Sequence, residues 1–223
     1  MRKSKRKADD KRILIYGASG HSKVVCATVE AIGNYQIIGL LDDDPTKHGT
    51  FVCSYPIIGG RGQLVRLFDS GVTHVFIAVG DNQQRIELGH MLAEYGFEVP
   101  TLVHPTAICL RSSTIGAGTF VGPFAWVGGD VVIGSDAIIN LGSVVAHDCG
   151  IGSGAQLTAR VVLGGGAQIG EKAFLGLSAT VLPQIKVGAQ TIVGAGAVVT
   201  RDLPNDVTAV GVPARIVKRG GIA

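Results

Sequence analysis

The chain has 223 residues, 33 of them glycine, with only 17% charged and 5% aromatic residues and a formal net charge of +3. No apolar run approaches the roughly 18 residues of a membrane span, and no secretory segment follows the basic start, so a soluble cytoplasmic protein is expected. Arg2, Lys3, Lys5, Arg6, Lys7, Lys11 and Arg12 crowd the positive charge into the first twelve positions and leave the rest net acidic, which argues for a basic flexible arm over residues 1–11 and against a nucleic-acid partner.

After the arm, Arg12 to Tyr16 reads as a buried strand. The turn Gly17-Ala-Ser19-Gly20-His21 follows, then an apolar helical run to Ile32. Strand, glycine turn and helix in that order aim backbone N–H groups at an anion, although G-x-x-G spacing is not the dinucleotide fingerprint. A second strand, Gln36 to Leu41, ends in Asp42-Asp43-Asp44-Pro45, where acids can accept from nucleoside hydroxyls or a base edge, or simply form a solvated turn. A helix from about Gln63 to Ser70, a strand at His74–Val79, the turn Gly80-Asp81-Asn82, a helix from Gln83 to Tyr95 and a short strand from Phe97 to Val103 complete a parallel α/β domain over residues 12–103.

From Ile115 to Val199 an aliphatic residue stands at every sixth position without a slip, most often followed by glycine and preceded two places earlier by a small residue. A period of six fits neither a helix stripe nor a strand alternation. It is a solenoid repeat, a triangular coil of three six-residue units, in which the aliphatic points inward and the glycine is expected to take the corner dihedrals. About five coils over residues 104–202 are predicted. The tail, residues 203–223, breaks the register with prolines and is expected to leave the prism and fold back over the last coil.

Polar departures from the repeat mark the candidate chemistry. His147 is the only histidine within the repeats, Asp148 adjoins it, Asn140 replaces the usual glycine, and Gly165 lies one coil later inside Gly164-Gly165-Gly166. An outward imidazole beside bare backbone offers acyl transfer both a base and an oxyanion donor. Cys26, Cys53, Cys109 and Cys149 are far apart and lack C-x-x-C spacing, so free thiols and no zinc site are expected. A prism-shaped carbonic anhydrase would need three histidines, and a dehydrogenase reading fails on the glycine spacing.

The repeat resembles that of the hexapeptide-repeat, left-handed β-helix acyltransferases. Gly17 to His21, Asp42-Asp43, Ala78 to Asn82, His104-Pro105, Asn140 to Cys149 and Gly211-Val-Pro-Ala214 together resemble the nucleotide-sugar N-acetyltransferases of bacterial glycan synthesis. The nearest are the bacillosamine-pathway UDP-4-amino-sugar acetyltransferases and their GDP-perosamine relatives, grouped with sialic-acid O-acetyltransferase-like proteins. The resemblance implies acetyl-CoA as co-substrate, a nucleotide-linked 4-amino-4,6-dideoxy sugar as acceptor and a homotrimer with acetyl-CoA between neighbouring prisms. It also implies His147 as general base, Asp148 orienting it, and Asn140 as a polar contact. Gly165 would donate to the thioester carbonyl, and Gln156, Gly176, Leu177 and Ala195 would line the CoA site. At Gln156 close relatives carry a second histidine, so no second titrating group is expected there. Gly17, Ser19, Gly20, His21, Asp42, Asp43, Gly80 and Asn82 would contact the nucleotide sugar. A sugar O-acetyltransferase and a non-catalytic scaffold are the competing expectations.

Overall fold

The computed structural model describes residues 11–220. The basic arm therefore lies outside the described residues except for Lys11, which opens the first strand. The chain divides into two compact units, residues 1–80 with 88–100, and residues 81–87 with 101–223.

In the first unit, β1 (Lys11–Tyr16), α1 (Gly20–Ile32), β2 (Tyr35–Leu41), the hairpin β3 (Phe51–Val52) and β4 (Tyr55–Pro56), α2 (Leu64–Asp69) and β5 (His74–Ile77) follow in order. β2, β1 and β5 form a parallel sheet in that order, so consecutive βα units diverge to either side of β1. The crevice where they part is the usual ligand position of such sheets. Leu14, Tyr16, Leu41, Leu64, Val75, Ile77 and Phe97 pack into one core on the sheet. Gly17, at φ 106°, is required here: a Cβ would lie 2.8 Å from the carbonyl oxygen of Ala78.

The second unit is a stack of two-residue parallel strands in which residues 18 apart pair, as Trp126 does with Val144 and Val144 with Val162. Three faces result. The first has six strands, from Ile108–Cys109 to Val198–Val199, and the second five, from Thr114–Ile115 to Lys186–Val187. The third runs from Leu102–Val103 through Gln156–Leu157 to Ile192–Val193 and continues into the tail. Inward Val127, Val145, Leu157, Leu163, Leu175 and Val193, with the small residues Ala125, Ala155 and Ala173, are buried in a continuous core. Each such aliphatic contributes roughly 1.5–3 kcal/mol by leaving water.

Several expectations are corrected. The expected last strand divides: Glu98 bridges in parallel to His74 and extends the α/β sheet, whereas Leu102–Val103 pairs with Phe120–Val121 and opens the solenoid. The repeat already holds inward aliphatic or thiol side chains at Val103 and Cys109. The tail does not leave the stack at once. Val207–Val210 pairs in parallel with Ile192–Val193 at a spacing shortened to 16 residues, and Arg215–Arg219 then turns back antiparallel on it.

The corner dihedral is not taken by the glycine after the aliphatic. It falls three places after it, where Phe124, Asp130, Asp136, Asp148, Arg160, Lys172, Ser178, Gln184 and Gln190 all have φ between 55° and 63°. The glycine after the aliphatic is needed because coils stack closely: a Cβ on Gly170 would lie 2.4 Å from the Ala189 nitrogen.

Candidate active site

His147 stands on the edge between the first and second faces, immediately after the strand Val144–Val145. Its side chain is 73% exposed, and Nδ1 lies 2.6 Å from Asp148 Oδ2. An ionised carboxylate only accepts, so Nδ1 carries the proton it shares with Asp148, which in the neutral ring makes Nε2 the acceptor. Asp148 is itself the left-handed corner residue at φ 59°. Aspartate tolerates that region better than most residues.

The ring lies over bare backbone. A Cβ at Gly165 would stand 2.6 Å from His147 Cε1 and 2.7 Å from Nε2. The next amide, that of Gly166, donates to the His147 carbonyl at 2.9 Å. No hydrogen bond among the described residues uses the Gly165 N–H, which leaves a donor beside the imidazole. Gln168, one coil below, donates weakly from Nε2 to the carbonyls of Asp148 and Gly166 at 3.4 and 3.3 Å. It braces the edge, and nothing in the repeat had singled it out. Cys149 is buried, its Sγ 3.3 Å from the Gly164 carbonyl. Burial pushes its thiol up from the usual value, the opposite of what a nucleophile needs.

The other candidates occupy different places. Asn140, Gly176, Leu177 and Ala195 lie on the edge between the third and first faces, not with His147. There Asn140 Oδ1 accepts from the Leu141 amide at 2.7 Å, while Leu141 and Leu177 are exposed. Gln156 sits on the third face between Ile138 and Phe174, and its Oε1 is buried without a partner. The first face, which separates the two edges, carries an outward ladder of Ile108, Trp126, Val144 and Val162, each more than a third exposed.

On the remaining edge, Asp81–Glu87 group with the solenoid, and α3 (Asn82–Glu94) starts there. Asn82 Nδ2 donates to the Lys172 carbonyl at 3.0 Å and its Oδ1 accepts from Arg85 at 2.8 Å, so the amide expected to meet substrate is engaged inside the protein. Arg85, 1% exposed, donates to the carbonyls of Asp136 at 2.7 Å and Gly154 at 2.8 Å. Burial lowers its guanidinium to about 10 despite the neighbouring Asp136 and Asp81 charges.

In the α/β unit the acid pair is also internally held. Asp42 Oδ2 accepts from the Ala18 amide at 2.8 Å and from Lys47 at 2.9 Å. Asp43 accepts from Tyr16 Oη at 2.7 Å and from the Arg61 amide at 2.9 Å, as well as from the Arg61 guanidinium. The Gly17–His21 turn and the acids thus meet at the C-terminal ends of β1 and β2. Ser19 precedes α1 without a side-chain cap bond, and a Cβ on Gly20 or Gly80 would meet nothing within 4 Å. Partial burial would raise both carboxyls, but the donors win, holding Asp42 below the usual range and Asp43 at about 2.

Residues 12–92 match the family described as the PglD N-terminal domain. A perosamine N-acetyltransferase from Caulobacter crescentus, solved with CoA and GDP-perosamine, superposes with a TM-score of 0.89 at 40% identity over 92% of this chain and 96% of that one. The chain belongs to the nucleotide-sugar N-acetyltransferases. The acetyltransferase domain of PglB from Neisseria gonorrhoeae, solved with acetyl coenzyme A, is another relative of this acetyltransferase, at 31% identity over 93% of the chain and 100% of that domain, with a TM-score of 0.85. The UDP-N-acetylbacillosamine N-acetyltransferase of Bacillus subtilis is 37% identical over half of the chain, and the match spans 51% of that protein. The solenoid of this acetyltransferase is accordingly a left-handed parallel β-helix.

Proposed function

We propose that the chain transfers the acetyl group of acetyl-CoA to the C4 amine of a nucleotide-linked 4-amino-4,6-dideoxy sugar, in the cytoplasm and toward bacterial glycan synthesis. The observation that carries this reading is the imidazole of His147, tied at Nδ1 to Asp148 and resting over Gly165. The neutral amine attacks the thioester carbonyl, and a C–N bond forms. Nε2 takes the amine proton while the Gly165 N–H faces the developing oxyanion. The C–S bond then breaks, and the proton passes to the CoA thiolate, leaving an amide and free CoA. No protein nucleophile is needed once the two substrates are held together. The Caulobacter and Neisseria relatives, with CoA or acetyl-CoA bound, support the donor, and the GDP-perosamine of the former supports an amine acceptor.

Within one chain the His147 edge and the Asn140–Leu177 edge lie on opposite sides of the first face. Three copies packed with that apolar face toward a common axis bring one copy's His147 edge to the next copy's Asn140 edge. The active unit is therefore a homotrimer with the thioester held at each junction, where Gly176, Leu177 and Ala195 line the pantetheine path.

The test is His147→Ala, assayed by CoA thiol release with a panel of UDP- and GDP-linked 4-amino sugars. The wild type acetylates one of them to an amide and sediments as a trimer. The variant keeps its fold and assembly but loses about two or more decades of kcat. An ester product, or a variant as active as the wild type, rejects the assignment.

A further inference from the structure

A depression of about 700 Å³ beside the C-terminal end of β2 is lined by Asp43, His48, Ile58, Gly60, Arg61 and Gln63. Asp43 borders it and is already engaged within the protein. Oδ1 accepts from the Arg61 amide, and Oδ2 from Tyr16 Oη and from Nε and Nη2 of Arg61. Three of these four donors crowd Oδ2, so the carboxylate is spent mainly on holding Tyr16 and Arg61 in place. Arg61 is different, because its side chain is 62% exposed. Only the Nε/Nη2 side of its fork is taken. Both N–H groups of Nη1 and the second of Nη2 remain, so the outer end of a planar group clamped by Asp43 offers two adjacent donors in a fixed orientation.

Two adjacent donors call for two adjacent acceptors. Guanine has them in O6 and N7. The carbonyls of uracil flank the N3–H donor, and in adenine N7 adjoins an amino donor. We propose that this depression receives the guanine of a GDP-linked sugar and that Arg61, set by Asp43, selects guanine over uracil. This rests on the acetyltransfer reading above and adds the nucleobase to it. His48 supports the same wall: its Nε2 lies 2.8 Å from the Asp42 carbonyl, which can only accept, so the ring donates there and closes the loop on the acid pair.

A guanidinium can also meet a diphosphate, and lysine separates the two cases. As a compact charge it replaces arginine on phosphate but cannot present a fork to a base edge. Calorimetric titration of the full chain with GDP, UDP and pyrophosphate, repeated on Arg61→Lys and Arg61→Gln, decides it. The wild type binds GDP about ten- to a hundredfold more tightly than UDP. Both variants lose that preference through weaker GDP binding, with UDP unchanged. The proposal is overturned if the wild type binds UDP as tightly as GDP, if Arg61→Gln keeps the preference, or if it weakens GDP, UDP and pyrophosphate alike. Acetylation of a UDP-linked amino sugar without GDP preference removes the base assignment alone. Acetylation of no nucleotide-linked amino sugar removes the proposed function with it.

Discussion

Two edges of the same solenoid, built from the same six-residue unit, end up with opposite characters. Along the edge of Asp136, Gly154 and Lys172, the carbonyls of successive coils are taken up by Arg85 and Asn82. Along the edge of His147, the ring is exposed and no hydrogen bond among the described residues takes the Gly165 N–H. The backbone is common to both, so the difference lies in what covers it. A repeat fixes where reactive groups can stand, and a few side chains from outside the repeat decide which edge is closed.

Breaking the closed edge gives the largest expected effect. Arg85→Met leaves the carbonyls of Asp136 and Gly154 and the Asn82 side chain unpaired inside the protein. Even with the relief of a buried charge, stability falls by about 3 kcal/mol, to be read in urea unfolding as a lower midpoint. A matched pair of alanines then sharpens the contrast. In Gly170→Ala the new methyl runs into the backbone of Ala189, which cannot retreat without opening the stack, at a cost of about 2 kcal/mol of stability. In Gly165→Ala the methyl meets only an exposed imidazole. The ring turns away, so the melting temperature holds while kcat drops roughly tenfold or more. Equal losses of stability in the two variants would abolish the distinction between the edges.

The smallest effect sets the open edge against the α/β unit. Asp43 is depressed to about 2 by its donors, so its contribution to stability is complete above the unfolded value near 4. It is lost as pH falls from about 4 to about 2. An acid titration of stability should be shallower in that window for Asp43→Asn than for the wild type. The contribution is small, because the carboxyl is 38% exposed.

The solenoid was legible because its signal is redundant: fifteen inward aliphatics in register, from Ile115 to Val199, cannot be produced by a helix or a hairpin. His147 was legible for the converse reason, as a polar interruption of that register. The corner is not legible, because glycine serves two purposes that look alike in sequence. The glycine after each aliphatic avoids a clash between coils, while the left-handed dihedral is borne at Asp148, Arg160, Lys172 and Gln184 by side chains with no shared chemistry. Arg85 was missed because a single arginine in a helix with glutamines around it reads as solvated. Only the carbonyls of residues distant in sequence show otherwise. The Lys172 carbonyl that Asn82 meets lies 90 positions away and is equally hidden from the sequence.

The antiparallel strand Arg215–Arg219 has a further consequence. Open stacks of parallel coils invite copies to join end to end into fibres, because the last strand presents unused peptide groups. Here the final strand on the third face runs the wrong way for another coil to continue, and it carries Arg215, Lys218 and Arg219 outward, where charge repels a like neighbour. On the third face, among the described residues, the strand order therefore closes on a reversed, charged edge instead of a further parallel coil.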